Sequence, residues 1–220
     1  MHARTSLALF ALALAAAARP GPAAAAPPAP TSETAASTAH ALLARFARIP
    51  GLSARYREEK RMALLIEPLV SEGRLYYARP GAMVRHQDRP EPATVLLDGD
   101  RLATASGGRR DTLDLSKQPV VRMFVDTVRS VLAGDEARLS ALYTITFEPR
   151  EGDGWRLRLV PRADPLRRIL DHMMIEGHDV VLEVLEIVER GGDTTRMTFT
   201  DVDPHRAFTQ EERARLFRLP

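Results

Sequence analysis

The feature that most constrains the fold is an alternation of apolar and polar residues that recurs between turn signals. It is clear at Leu52–Tyr56, at Leu75–Arg79 and at Trp155–Leu159. Alternation of period two places one set of side chains on each face of a β-strand. Eight or more such segments follow one another at roughly ten-residue spacing. The pattern predicts an α+β fold: a curved antiparallel sheet, or half-open barrel, with helices on its open face.

The strands are predicted at residues 52–61, 71–79, 82–86, 94–102, 143–147, 155–159, 180–189 and 195–201. The fourth of these is a hairpin around Asp98-Gly99, a pair typical of primed turns. Three segments remain ambiguous. Residues 62–66 fit an edge strand or a loop, residues 103–117 a polar loop flanked by short strands, and residues 164–172 a short helix or coil.

Helices are predicted where the apolar spacing changes to three and four residues. The first spans residues 39–49 and is stopped by Pro50-Gly51. A second runs over 119–132 with Pro119 in its first turn, and a short third covers 135–142. Thr209 and Glu212 stand at capping-box spacing and predict a last helix over 209–217.

The N-terminus is typical of a secretion signal. The twelve uncharged residues Leu7–Ala18 follow a short basic start and are too few to cross a bilayer, which takes about 20. Ala23–Ala26 offers small-residue cleavage sites. We therefore expect a signal peptide over residues 1–26, a flexible linker over 27–38 and one domain over 39–220, exported to a Gram-negative periplasm.

Composition narrows the function further. Without Arg4 and Arg19 the 31 basic residues fall to 29 and equal the 29 acidic ones, so no nucleic-acid partner is expected. The absence of cysteine excludes disulfides, thiolate metal sites and an acyl anchor on cysteine. About 190 residues suffice for one domain with a real core.

No pattern in the sequence argues for catalysis. The six histidines are scattered without zinc-ligand spacing, and no G-x-S-x-G nucleophile motif is present. The glycine pairs do not join a strand to a helix as phosphate-binding loops do. Asp98 and Asp100 flank a turn glycine, where carboxylates serve the backbone. We expect no enzyme activity, no cofactor and no metal, although an unrecognised carboxylate pair in a small hydrolase remains an alternative.

The apolar face of the predicted sheet either packs solid or holds an apolar ligand. A solid core is the ordinary outcome. Arg79 argues against it, because it is in phase with Leu75 and Tyr77 on the expected inner face. An unpaired buried guanidinium costs several kcal/mol, so Arg79 must find acceptors or lie at the mouth of a cavity.

The order of these segments resembles the LolA family of periplasmic carriers of outer-membrane lipoproteins. The resemblance rests on a first helix, the strand Gly73–Gly81 ending in Arg-Pro-Gly, the hairpin Val95–Leu102, a mid-chain helix and the strand Gly154–Pro161. The segment Tyr56–Lys60 followed by a Pro-Leu-x-Ser-x-Gly motif is similar to a divergent branch of that family. The similarity covers most of residues 40–201.

The resemblance implies a half-open barrel whose helical lid covers a hydrophobic cavity for the acyl chains of a lipoprotein or other lipid. The family arginine falls on Arg79, which is then expected to bond to the lid and to control opening. The implied partners are the cargo, an inner-membrane transporter and an outer-membrane receptor, and the carrier is expected to be a monomer. The expected ligand-binding residues are Arg79, Leu75, Tyr77, Val84, Leu97, Leu157 and Leu182.

Two departures from the family pattern concern the cargo. Arg85 stands where relatives carry a tryptophan, and Ala103–Ser106 replaces an aromatic patch. A periplasmic module that senses lipid and contacts a membrane protein is therefore a second interpretation. Both interpretations require an interior with room for hydrocarbon.

Overall fold

The computed structural model describes residues 32–220, with side chains from residue 39 onwards. All strands of this part belong to one antiparallel sheet of 11 strands. They are β1 Gly51–Arg61, β2 Leu69–Ala78, β3 Ala82–Arg89, β4 Ala93–Asp98, β5 Arg101–Ser106, β6 Arg109–Asp114, β7 Tyr143–Pro149, β8 Gly154–Pro161, β9 Leu170–His178, β10 Val181–Glu189 and β11 Thr194–Asp203.

Five α-helices and a 3₁₀ turn at Leu115–Lys117 accompany the sheet within the described residues. The helices are α1 Ser32–Phe46, α2 Pro119–Ala133, α3 Glu136–Leu142, α4 Leu166–Ile169 and α5 Gln210–Leu216. Helix α1 begins at Ser32, seven residues before the predicted onset at Ala39. The expected signal peptide and the first part of the expected linker lie outside the described residues.

Most predicted elements are confirmed, and the exceptions have local causes. Strand β9 was not predicted, because the neighbouring Met173 and Met174 are both apolar and blur the alternation. Strand β6 is almost entirely polar, since it is an exposed edge strand with no face to bury. The ambiguous residues 62–66 form a loop. The capping box of α5 is present, with Thr209 and Glu212 bonded reciprocally.

The topology itself places helices over the open side of the sheet. The strand order is β6-β5-β4-β3-β2-β1-β11-β10-β9-β8-β7, so β6 and β7 lie at opposite edges although they are consecutive in the chain. The segment 115–142 that joins them therefore has to cross from one edge to the other. It carries the 3₁₀ turn, α2 and α3. We call this segment the crossing segment.

The sheet is strongly curved without being closed. Leu102 of β5 and Leu185 of β10 line the same small cavity, although their strands are six places apart. At about 4.8 Å per strand, a flat sheet would separate them by about 29 Å. The sheet therefore wraps around the crossing segment, and the buried core lies on its concave face.

An exposed apolar loop joins β1 to β2. Leu64 and Ile66 are 88% and 104% exposed, and Leu65 and Leu69 beside them are also exposed. Other large apolar side chains of the described residues are at least partly buried. Within residues 32–220, no helix combines the length and apolar character that a membrane crossing requires.

The C-terminal segment covers part of the convex face. Phe208 packs edge-to-face on Tyr76 at 6.0 Å between ring centroids. The carbonyl oxygen of Leu216 lies 3.0 Å from His86 Nε2. Val84 is paired with Tyr76 and therefore shares this face, where it is completely buried. The prediction that Val84 contacts a ligand inside the barrel is wrong, because the period of two turns its side chain outward.

Candidate functional site

The concave face is assembled by the strand register. Tyr77 pairs with Leu52 on one side and Met83 on the other, and Met83 pairs with Leu97. Directly paired residues share a face. Leu75 belongs to the same face as Tyr77 because it is two positions away in β2. On the other half of the sheet Leu157 pairs with Ile175, which pairs with Leu185.

Between this face and α2 lies an apolar cavity of about 60 Å³. Its lining comes from six strands and the helix: Leu75, Met83, Arg85, Val95, Leu97, Leu102, Val125, Val128, Leu185, Met197 and Phe199. Ligand pockets for drug-sized molecules are about 300–1,000 Å³. The expectation of an open interior is therefore not met in this conformation, since the protein's own side chains fill most of it. An acyl chain enters only if the helices move.

The predicted ligand-binding residues fall into different environments. Leu75 and Leu97 line the cavity. Tyr77 and Leu157 are completely buried in the core that continues from it. Leu182 is also buried on the concave side, but a bulge between Leu182 and Val184 places it opposite Gly177, beyond the cavity.

Arg79 lies at the end of β2 and contacts the ends of two helices. Its Nε donates to the carbonyl oxygen of Ile49 at 2.7 Å, and its terminal nitrogen donates to that of Ala47 at 2.5 Å. The same nitrogen lies 3.1 Å from the carbonyl oxygen of Phe46 and 3.5 Å from that of Ala133. A cation suits the free carbonyls and the negative dipole end at a helix C-terminus. Arg79 therefore binds the carbonyl oxygens at the end of α1 and contacts that of Ala133, the last residue of α2.

Two further arginines attach α2 to the next turn along the same rim. Arg129 donates to the carbonyl oxygen of Gly99 at 2.8 Å, in the turn between β4 and β5. Arg122 lies 3.3 Å from a carboxylate oxygen of Asp100 in the same turn. These contacts are polar and partly exposed, whereas Val125 and Val128 of the same helix line the apolar cavity. The helix is thus held at its edges by interactions that water can replace.

A buried polar cluster, which sequence reasoning did not find, adjoins the cavity. Arg85 lies 3.2 and 3.3 Å from the two carboxylate oxygens of Glu58 and donates to the hydroxyl of Ser71 at 2.8 Å. Its guanidinium carbon sits 4.5 Å from the ring centroid of Tyr56. Burial raises the pKa of Tyr56, with the positive charge of Arg85 opposing that shift. The signal was available, because Arg85 is in phase with Met83 in β3.

A second buried ion pair lies at the C-terminal end of β1. Lys60 Nζ lies 4.0 Å from Glu189, and both side chains are 8% exposed. Burial raises the pKa of Glu189, Lys60 opposes the rise, and Asp193 adds to it. Within the described part of the chain no group of three or more His, Asp or Glu side chains is arranged to hold a metal ion.

Comparison with known proteins bears on this geometry. The family model described as outer membrane lipoprotein carrier protein LolA-like matches residues 31–216. The sequence matches no curated protein. The structure of the Pseudomonas aeruginosa MucA/MucB complex is similar in fold, with a TM-score of 0.50 at 14% identity, over 79% of this chain and 59% of that one.

Two other solved structures are more distant. A LolA superfamily protein from Nitrosomonas europaea is 11% identical with a TM-score of 0.41, over 79% of this chain and 96% of that one. The Mycobacterium tuberculosis lipoprotein LppX is 14% identical with a TM-score of 0.41, over 74% and 94%. At these identities the likeness concerns the fold alone.

Proposed function

Since the chain belongs to the LolA-like family of outer membrane lipoprotein carrier proteins, we propose that it shelters the acyl chains of a lipoprotein or another lipid in the periplasm. The hydrocarbon occupies the space between the concave face and α2 once the helices move outward. The proposed partners are the lipidated cargo, an inner-membrane transporter that loads it and an outer-membrane receptor that takes it. We propose no chemical reaction.

One observation carries this proposal: an unclosed sheet presents an apolar concave face to a helical segment that its topology forces across the opening. Val125 and Val128 of α2 face Leu75 and Leu97 across the cavity. Each methylene removed from water contributes about 0.8 kcal/mol, so a chain of 16 carbons gains on the order of 10 kcal/mol. That gain is the driving force for displacing α2.

The attachments of α2 and α1 are suited to such displacement. Contacts of Arg79, Arg122 and Arg129 with backbone carbonyls and Asp100 are replaced by water when a helix moves, at a net cost of about 1 kcal/mol each. The protein needs no energy source of its own to release the lipid, because an acceptor with a larger apolar site draws it away.

Native mass spectrometry of the gently purified protein, followed by titration with 1-palmitoylglycerol, tests the proposal. The wild type is expected to retain co-purified lipid and to bind this probe. Leu75→Asp places a carboxylate against the cavity and is expected to weaken binding more than about tenfold, because ionised groups are strongly disfavoured against hydrocarbon. Leu64→Asp, in the exposed loop, is the matched control and should bind as the wild type does.

Circular dichroism of both variants separates lost binding from lost folding. If the wild type binds neither co-purified lipid nor the probe, the carrier proposal fails. If a folded Leu75→Asp variant binds normally, the lipid site lies elsewhere.

A regulatory module is the second candidate, supported by the likeness in fold to the MucA/MucB complex structure. The exposed apolar loop with Leu64 and Ile66 offers such a module a contact surface, since large apolar side chains left in water mark interaction sites. Pull-down from solubilised membranes distinguishes the two. Recovery of one membrane protein as a stable complex favours regulation, and recovery of lipoproteins favours carriage.

A further inference from the structure

The polar cluster beside the cavity is unusual in where it lies. Arg85 lines the cavity, and its other lining residues are apolar. Its side chain is 11% exposed and that of Glu58 is 15% exposed. Burial of ions costs several kcal/mol unless every polar atom is satisfied. The cluster should therefore be completely hydrogen-bonded if its only role is structural.

The charge of the cluster is already balanced. The terminal nitrogens of Arg85 lie close to both oxygens of Glu58, and one of them also donates to Ser71. One positive and one negative charge thus cancel inside the protein. The cluster has no charge left to attract a free anion, and Glu58 would repel one.

Two hydrogen-bond donors of the cluster nevertheless remain unused. Among the described residues, neither Arg85 Nε nor the Tyr56 hydroxyl has a hydrogen-bond partner, and both atoms are buried. Tyr56 is 3% exposed, and the Arg85 guanidinium lies over its ring. Buried donors without partners are rare in native proteins and call for an explanation.

We propose that these two donors bind the carbonyl oxygen of an ester-linked or amide-linked acyl chain. A carbonyl oxygen has two lone pairs and no charge, which matches two N–H and O–H donors in a neutral cluster. This inference rests on the proposed function, since it assigns a chemical class to the lipid held there. The protein then selects esterified or amidated acyl chains over free fatty acids and over plain hydrocarbon.

The test compares three probes that share a 16-carbon chain. 1-Palmitoylglycerol carries the ester carbonyl, 1-hexadecylglycerol has an ether oxygen instead, and palmitate carries a charge. The wild type is expected to bind the ester about tenfold more tightly than the ether, the effect of one or two hydrogen bonds in a dry site. Palmitate is expected to bind more weakly than the ester.

Tyr56→Phe removes the hydroxyl donor and should fold, because it keeps the aromatic ring that packs against the Arg85 guanidinium. Its preference for ester over ether is expected to fall to about threefold or less. Tyr76→Phe is the matched control, since it deletes the same hydroxyl group from the convex face, where Tyr76 packs on Phe208. That variant should keep the wild-type preference.

Equal binding of ester and ether by the wild type overturns this inference while leaving the carrier proposal intact. Tightest binding of palmitate also overturns it, because the cluster would then act as a cation. A preference that is unchanged in Tyr56→Phe, or lost equally in Tyr76→Phe, contradicts the assignment of the two donors. Failure of the wild type to bind any of the three probes contradicts the proposed function itself.

Discussion

The buried pair Lys60 and Glu189 shows how this protein accommodates charge in its interior. Lys60 and Glu189 lie 4.0 Å apart with no hydrogen bond to Lys60 Nζ among the described residues. Ion pairs of this kind cost desolvation energy that their attraction only partly offsets. Glu189 also faces Asp193, whose carboxylate accepts a hydrogen bond from the backbone of Ala63 in the exposed loop.

This arrangement predicts a pH dependence of stability. The pKa of Glu189 is raised above its ordinary value of 4.5, chiefly by burial. The folded state therefore holds the proton more tightly than the unfolded state. The resulting stabilisation is complete below pH 4.5 and is lost as pH rises through the folded pKa.

Glu189→Gln removes this titration. Relative to the variant, the wild type is expected to lose free energy of unfolding as pH is raised from 4.5 to 8, measured by urea denaturation at several pH values. Glu186→Gln serves as the control, because Glu186 pairs with Arg196 and is more exposed than Glu189. A difference between wild type and Glu189→Gln that stays constant over this range contradicts the prediction.

At the level of elements, the packing of α1 against α2 depends on one glycine. Gly134 ends α2 with a φ of 70°, a conformation that glycine adopts without strain. A Cβ at this position would lie 2.1 Å from the carbonyl oxygen of Leu43 and 2.6 Å from the backbone nitrogen of Ala47. The two helices therefore approach as closely as they do only because position 134 has no side chain.

Gly134→Ala is expected to destabilise the protein by more than Gly107→Ala does. Gly107 also has a positive φ, of 56°, but a Cβ there meets no atom within 4 Å. Its substitution costs only the backbone term, about 1–2 kcal/mol. The clash in Gly134→Ala should add at least about 1 kcal/mol. Urea unfolding measures both, and equal losses would show that the helices separate freely.

At the scale of the whole molecule, the closed state is held by the polar contacts of Arg79, Arg122 and Arg129, and its interior is nearly full. With about 60 Å³ of free space, lipid binding and helix movement are one equilibrium under the proposed function. A substitution that weakens these polar contacts but leaves the cavity lining intact shifts this equilibrium towards the lipid-bound state.

Arg79→Leu is such a change, because Arg79 holds the end of α1 and touches the last carbonyl of α2. We expect this variant to bind 1-palmitoylglycerol about three to ten times more tightly and to transfer it more slowly to acceptor vesicles, the effect of losing roughly 1 kcal/mol of closing energy. Hydrogen exchange in α1 and α2 should be faster than in the wild type. Arg48→Leu is the control, because Arg48 is an exposed arginine in the turn after α1 that Arg79 contacts. Unchanged transfer would show that Arg79 has only a structural role.

The sequence by itself determined the local elements, because these follow from short-range rules. Period-two alternation located most strands, and the helical spacing of residues 119–132 located α2. Thr209 and Glu212 located the start of α5. Strand β9 does not follow from these rules, because Met174 beside Met173 blurs its alternation. Arg79 contacts backbone carbonyls at the end of α1, whereas its role in lipid binding stays a prediction.

Tertiary structure alone decided which face of each strand turned inward and how much room was left. Val84 pairs with Tyr76 and Leu96, whereas its neighbour Met83 pairs with Leu97, and only this strand pairing shows that Val84 faces outward. The size of the cavity depends on how side chains from six strands and α2 fill one another's gaps, which no local pattern encodes. The cluster around Arg85 has the same origin, since Glu58, Ser71 and Arg85 meet on three adjacent strands whose register joins residues distant in sequence.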